Sequence, residues 1–427
     1  MIQVWADGAP VGRLDRRAPV GTSFAADPDA SAARAVSLTM PPRVASYEWP
    51  RGLLPIFEMH LPEGVLRERL RLRFAKATGT FDALDLLSIV GRTQLGRLRY
   101  AAPGEALDEA VPFQRVAEIL AARRGGDLLT YLLETFAAYS GVSGVQPKVL
   151  IRDDSEVIDH EPLVHGSPRV LGATHLVKWW DAAEYPELGA NENACLRAAA
   201  RAGLAVPSVQ LADSGAALVV ARFDRHSDGS YGGFEDFCVL NGYNTNEKYR
   251  GSYETALAKR LRDYASPEEL PTALRDLFRL FVLNCAVRNG DAHLKNFGLV
   301  YDDPTAVVRL APVYDVVTTS VYLPRDQMAL TLDGSTRWPT PKGIRAFGTE
   351  RCELKPRDVE SICEATADAM QGALADVAPY FAQCPTPDIG RRLTEAWQTG
   401  ITETLGLGGR QVVVPDSLGG ATPERGI

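Results

Sequence analysis

Cysteine is scarce and scattered: Cys195, Cys238, Cys285, Cys352, Cys363 and Cys384 include no CxxC pair and no close Cys/His grouping. That excludes a disulfide scaffold and a zinc site of the usual spacing, and it fits a chain kept in a reducing cytoplasm. Long apolar runs are also missing. The longest, 277–287, contains Arg279 and Asn284, so no membrane-spanning helix is expected. The opening MIQVWADGAP has neither a basic n-region nor an apolar h-region, so no export signal is expected. Positive charge is not in excess. A formal net charge of -8 and a pI near 5.4 argue against a protein that coats nucleic acid non-specifically through phosphate counterion release, and leave room only for a local basic patch. There is no internal repeat, and no GxxxxGK[ST] phosphate-binding loop.

What remains is ordinary globular material, 427 residues with 45% hydrophobic and 23% charged, enough for two or three cores. Residues 1–108 read as a compact α+β unit. Ile2, Val4 and Trp5 lead into the hairpin signal Asp7-Gly8, the strand resumes over 11–14, and a second strand is expected over 35–40. The 65–77 segment, VLRERLRLRFAKA, predicts a helix with Val65, Leu66, Leu70 and Phe74 as its apolar residues. Its arginines 67, 69, 71 and 73 scatter around the axis, which makes a solvated face rather than a nucleic-acid patch.

A connector over 101–127, with Pro103, Gly104 and the run Arg123-Arg124-Gly125-Gly126, encloses one short helix. Then come a helix over 128–138, strands over 148–152 and 174–179, a helix over 191–202, and strands over 209–211 and 216–223. Residues 109–225 are thus a small β-rich lobe with its connector. Helices over 252–264, 267–287, 356–380 and 389–405 make 226–407 a large helical lobe, and 408–427 reads as a loosely held tail. The expected class is α+β: a protein-kinase-like two-lobe fold preceded by an N-terminal α+β subdomain.

The chemistry concentrates in a few segments. In RNGDAHLKNFGLV at 288–300, Asp291 and Asn296 have the separation of the kinase catalytic loop, where a carboxylate meets the attacking hydroxyl and an amide oxygen meets magnesium. Taken alone, the pair is more commonly an Asp turn with an Asn cap. The segment Ala311-Pro312-Val313-Tyr314-Asp315 reads as a strand ending in a second aspartate, where kinases place a magnesium ligand; one Asp and one Asn suffice for a cation that keeps its waters. The alternative is an Asp that merely ends a strand. Ser140 to Lys148 is a small-residue loop whose glycines let backbone N–H groups approach phosphate, though an ordinary turn has the same composition. Lys178 in an apolar strand wants an anion, the nucleotide phosphates, with Glu192 to orient it; snorkelling at a strand edge is the bland reading. His175 reads as structural. The 216–223 strand with Asp224 and Arg225 would be the hinge that meets an adenine edge. Each piece is modest, but their order is that of a kinase.

At these residues the chain resembles the HipA family of bacterial serine/threonine kinase toxins. The matching motifs are SGVQPK at 143–148, THLVK at 174–178, NENACLRAAARAGLAVP at 191–207, VVARFDR at 219–225 and EDFCVLNGYNTNEKY at 235–249. NGDAHLKNFGL at 289–299 and APVYDV at 311–316 continue the likeness, as do VWADGAPVGRL at the start and FDALDLLSIVGRTQLGRL at 81–98. The resemblance implies ATP and Mg2+ as cofactors, Asp291 as catalytic aspartate with Lys178 and Asn296, and Asn296 and Asp315 as metal ligands. It implies a nucleotide site of Ser143, Gly144, Val145, Gln146, Lys148, Lys178, Ala221, Phe223, His293 and Lys295. It also implies a protein substrate such as an aminoacyl-tRNA synthetase, a helix-turn-helix antitoxin of the HipB type as partner, DNA contacted only through that antitoxin, and no membrane. Relatives carry an autophosphorylated serine where this chain has Gly141; Ser140 and Ser143 flank it. Two rival functions stand beside this one, a small-molecule kinase and a kinase-like co-repressor.

Overall fold

The structure, a computed structural model, describes residues 1–78, 81–124, 126–153 and 172–410. The N-terminal unit is a five-stranded antiparallel sheet of β1 (Ile2–Ala6), β2 (Ala9–Arg17), β3 (Gly21–Ala26), β4 (Tyr47–Trp49) and β5 (Leu98–Ala101), in the order β4-β3-β2-β1-β5. Asp7 and Gly8 turn the first hairpin with φ of 51° and 72°, the left-handed pair that a two-residue connection between twisted strands requires. α1 (Pro55–Glu58) and α3 (Ala83–Val90) lie against the sheet, and α2 (Gly64–Thr78) packs on α3. On α2, Leu66 and Leu70 are buried, but Val65 faces solvent with arginines 67, 69, 71 and 73.

The strand expected over 35–40 does not form. Ser37 and Met40 make an isolated bridge, because the Ser37 hydroxyl and the Leu38 N–H are committed to the buried carboxylate of Glu235, at 2.7 and 2.8 Å. β3 and β4 have no counterpart in the sequence reading. Both are short and weakly alternating.

After α4 (Val116–Leu120) and α5 (Gly126–Phe136) comes the small-lobe sheet of β6 (Lys148–Ile151), β7 (His175–Lys178), β8 (Val209–Leu211) and β9 (Leu218–Ala221). Its order is β6-β7-β9-β8, antiparallel throughout, with α6 (Leu188–Arg201) inserted between β7 and β8 in the chain. One apolar core joins this sheet to the N-terminal unit: Val4, Leu14, Phe57, Leu87 and Tyr100 belong to the same cluster as Phe136, Val149, Val177 and Val219.

The helical lobe is built from α7 (Phe237–Leu240), α8 (Lys259–Tyr264), α9 (Leu270–Ala286), α10 (Pro341–Ala346), α11 (Pro356–Phe381) and α12 (Asp388–Thr399) around a second core that includes Tyr253, Phe278, Phe281 and Trp397. The helix expected over 252–264 starts as a wide π turn, Tyr253–Ala258, before α8. A small antiparallel sheet follows the order β10 (Gly233–Asp236), β11 (Gly298–Tyr301) and β12 (Arg309–Leu310). β10 and β11 are four residues each and nearly all buried, so they show no alternation to read. The strand expected over 311–315 is a correction too: Ala311 N–H still bonds Gly298, but Val313 N–H turns to Ala205 and the chain leaves the sheet, with Asp315 at φ 52°. The tail expected from 408 lies, from 411 onward, outside the described residues.

Candidate active site

Two lysines open the site. β6 and β7 pair in a register that sets Lys148 directly opposite Lys178, so both point to the same face of the sheet, and both are buried. Lys178 donates to Glu192 on α6 at 2.6 Å and to Asp315. Burial alone would lower the Lys178 pKa, but these two carboxylates reverse that and raise it above the ordinary lysine value. Asp315 is the reciprocal case: burial opposes ionisation, and Lys178 and Lys148 overcome it, holding the carboxyl well below the usual range. Glu192 goes the other way. At 1% exposure its burial outweighs Lys178, and its pKa rises.

Lys148 has no hydrogen-bond or ion-pair partner among the described residues, and burial followed by the neighbouring Lys178 depresses its pKa despite Asp315 and Glu192 nearby. A buried ammonium without an acceptor is costly unless an anion arrives. Close by, the Gln146 amide Nε2 and the His293 Nδ1 are buried without partners. His293 is held neutral, its pKa pushed down to about 3 by burial and by Lys248.

Neighbouring residues on α6 do two jobs. Glu192 holds Lys178, while Asn191, fully buried, brackets Thr318 with its side chain: Nδ2 donates to Thr318 C=O at 3.0 Å and Oδ1 accepts Thr318 N–H at 2.9 Å. That fixes the segment three residues beyond Asp315. Arg124 of the connector secures the start of α6 by donating to the buried Glu187 at 2.6 Å and to Tyr380 on α11 at 3.0 Å.

The catalytic-loop candidates follow α9. Asn296 Oδ1 accepts the His293 N–H at 3.1 Å, and its Nδ2 reaches the Asp315 backbone carbonyl at 3.4 Å. Asp291 keeps an exposed face while protein surrounds much of its carboxylate, which accepts a hydrogen bond from the Tyr249 hydroxyl at 2.8 Å. Surrounding protein pushes its pKa above the ordinary aspartate value, chiefly by desolvation. The residues at φ 59° (Arg288) and φ 52° (Asp315) bracket the loop; backbone held in the left-handed region by a non-glycine residue is the kind of strain found at functional sites. Among hinge candidates, Phe223 stacks on Tyr314, next to Asp315, at 5.9 Å between rings, and Ala221 ends β9 opposite His175.

The arrangement therefore gathers Lys148, Lys178, Asn296 and Asp315 as neighbouring groups, with Asp291 near enough to feel the Asp315 charge. Val145 is largely exposed on the loop above. Two contributors carry no sequence signal. Glu63, just before α2, accepts from Ser143 Oγ at 2.6 Å and Gly144 N–H at 3.1 Å, and Tyr249 sits in a motif that gives no hint of Asp291. Ser140 is fully buried, donating to Phe136 C=O at 2.7 Å and accepting Leu150 N–H at 2.9 Å, so it holds the loop base and is shielded from modification. A side chain at Gly141 would meet Gln94 Cβ at 2.5 Å and Thr93 C=O at 2.9 Å, which explains why no serine stands there.

Donor chemistry suits magnesium: an ionised aspartate and an amide oxygen, two hard ligands for a cation that retains water. No group of three or more His, Cys, Asp or Glu side chains that could cage a metal occurs among the described residues. Nor is any helix there long and apolar enough to cross a membrane.

Comparison with known proteins covers most of the chain. A "Putative kinase Y4mE" from Sinorhizobium fredii is 28% identical over 411 residues, covering 89% of this chain and 93% of its own. "Putative kinase Y4dM" from the same organism is 31% identical over 162 residues, 34% of this chain and 38% of its own. HipA of Shewanella oneidensis MR-1, solved with HipB and operator DNA, shares the fold at a TM-score of 0.68 and 19% identity, covering 97% of this chain and 99% of that one. The HipA N-terminal domain model matches residues 2–101, and the HipA-like C-terminal domain model matches 140–374, more than half of the 427 residues. The chain belongs to the HipA family.

Proposed function

We propose that the protein is an ATP-dependent serine/threonine kinase that acts as the toxin of a toxin-antitoxin pair. The observation that carries this is Lys148: a buried side chain whose ammonium has no hydrogen-bond or ion-pair partner among the described residues, on the same face of the sheet as Lys178, beneath a loop whose N–H groups at Val145 and Gln146 are unengaged among the described residues. Such a site calls for a polyanion, and nucleotide phosphates answer it. Lys178, held by Glu192, would take the α/β-phosphates, and Ala221 and Phe223 would flank the adenine.

Magnesium, held by Asp315 and Asn296, would supply charge neutralisation at the phosphates. Asp291 orients the acceptor hydroxyl and takes its proton. Tyr249 supports this role, since its own hydroxyl rests on that carboxylate at 2.8 Å. Positioning and electrostatics account for most of the rate. Asp291→Gln and Asp315→Asn are each expected to abolish phosphotransfer while leaving the protein folded; an active Asp315→Asn enzyme overturns the metal assignment.

The acceptor is inferred to be a translation protein such as an aminoacyl-tRNA synthetase, and the setting cytoplasmic. A helix-turn-helix antitoxin of the HipB type is inferred as partner because the Shewanella relative was solved with HipB on operator DNA, which would bring DNA into play only indirectly. Phosphoproteomics of cells expressing wild type against Asp291→Gln identifies the acceptor. Of the two flanking serines, Ser143 is the proposed self-phosphorylation site, being only half-buried while Ser140 is sealed. An unmodified Ser143 after incubation of an active preparation with Mg-ATP removes that idea.

A further inference from the structure

The turn between α1 and α2 touches the active site. Gly64, with φ 51°, begins α2, and a Cβ there would lie 2.8 Å from the Val145 carbonyl, so the N-terminal unit meets the 143–148 loop at a glycine-only approach. The residue before it, Glu63, turns a mostly buried carboxylate onto the loop. Its Oε1 accepts the Ser143 hydroxyl at 2.6 Å and the Gly144 N–H at 3.1 Å. The same oxygen lies 3.5 Å from Lys295 Nζ, and Oε2 lies 4.0 Å from Lys248 Nζ.

Lys295 completes the knot. Its ammonium donates to Ser143 Oγ, to the Met59 carbonyl at 3.2 Å and to Thr245 Oγ1 at 3.3 Å. One cation thus binds the N-terminal unit, the loop and the helical lobe together, and Glu63 is the anion that balances it.

The loop has little else to hold it. Among the described residues, the Gly144 N–H is the one backbone donor of 143–146 with an acceptor, and that acceptor is Glu63. Val145 above it is 62% exposed. A small-residue loop with a left-handed glycine at 144 (φ 115°) has high conformational entropy when released, so whatever ties it down sets how much of the protein is ready to bind phosphate.

We propose that Glu63 is a positioning residue through which the N-terminal unit holds the phosphate loop closed over the nucleotide and links it to Lys295. This rests on the reading of 143–148 as a phosphate loop. It gives the N-terminal unit a part in nucleotide binding beyond any partner docking: a shift of the α1–α2 turn is transmitted to the loop through two hydrogen bonds and one ion pair.

The test uses the full-length chain. In Glu63→Ala without nucleotide, amide hydrogen exchange at Gly144, read in a peptide spanning 141–147, is expected to accelerate about tenfold, the loss of one charge-assisted hydrogen bond, while exchange in the α9 core stays unchanged. In phosphotransfer assays the same variant should raise KM for ATP about tenfold with kcat within about threefold, and Glu63→Gln, which keeps an acceptor for Gly144 but not the charge, should fall between it and wild type. Unchanged exchange over 141–147, or a KM within about twofold of wild type, overturns the proposal. A wild-type protein that neither binds Mg-ATP nor transfers phosphate overturns the functional reading instead, and the exchange data still decide whether Glu63 holds the loop.

Discussion

Lys148→Met separates a functional cation from a structural one, because it should make the nucleotide-free protein more stable and a poorer binder of ATP. Lys148 is 4% exposed, sits opposite a second lysine, and has no acceptor among the described residues. Replacing a buried ion pair by apolar side chains of similar volume is neutral to stabilising by about 1–4 kcal/mol, and the same relief of desolvation applies to a lysine that has no partner to strand. Asp315, Glu192 and Glu63 already offset part of the penalty, so the low end applies, about 1 kcal/mol. For a lobe of this size that is a rise of roughly 2–4 °C in melting temperature. The gain should depend on pH. The folded pKa of Lys148 lies below its unfolded value of 10.5, so in that window the unfolded chain retains a proton that the folded chain has released, and wild-type stability climbs with pH. The advantage of methionine is therefore greatest near neutrality and fades toward pH 10.5. ATP affinity moves oppositely: losing a hydrogen bond to a charged group costs about 1.5–3 kcal/mol, a factor of roughly 10 to 150 in Kd. Differential scanning fluorimetry with and without Mg-ATP reads both. A variant that melts lower than wild type, yet is stabilised by Mg-ATP as much as wild type, refutes the assignment of Lys148 as a phosphate seat.

Three further substitutions probe the scaffold. Arg124→Ala strips the buried Glu187 of its cation; breaking a buried pair costs about 3–5 kcal/mol, and because Arg124 is 29% exposed we expect about 2, read by chemical denaturation, with Tyr380→Phe costing about 1. Asn191→Ala leaves the N–H and C=O of Thr318 unpaired in the core, for a loss of about 2–4 kcal/mol and a fall in kcat as the Asp315 segment loosens; wild-type kinetics in this variant would show that α6 does not position Asp315. Asp236, buried at the N-cap of α7, has its pKa pushed up to about 6 by burial. Its folded pKa exceeds the unfolded 3.8, so stability present at lower pH is lost as pH rises through 6, about 3 kcal/mol in all, and Asp236→Asn should flatten that slope in denaturation series from pH 3.5 to pH 7.

The residue order alone carried the reading of a two-lobed kinase-like fold, because that fold strings its chemical groups along the chain in a set sequence. A small-residue loop, a strand lysine, a helix glutamate and two aspartates with an asparagine between them need no tertiary information to be recognised as a series. Long helices such as α9 and α11 were equally legible, since each buries a continuous apolar face. Short elements were not. The segment over 35–40 has strand composition but gives its polar groups to Glu235, nearly two hundred residues away, and 311–315 is apolar but spends its donors on Gly298 and Ala205.

What only the tertiary structure decided is which charges are satisfied. Lys148 and Lys178 look alike as strand lysines, yet β-sheet register sets them face to face and gives both carboxylates to Lys178. Glu63 is one glutamate among many until the fold carries it from the N-terminal unit onto the Gly144 N–H. Local sequence encodes propensity and the identity of reactive groups; pairing across distant segments is settled by packing, where burial makes every unpartnered charge expensive.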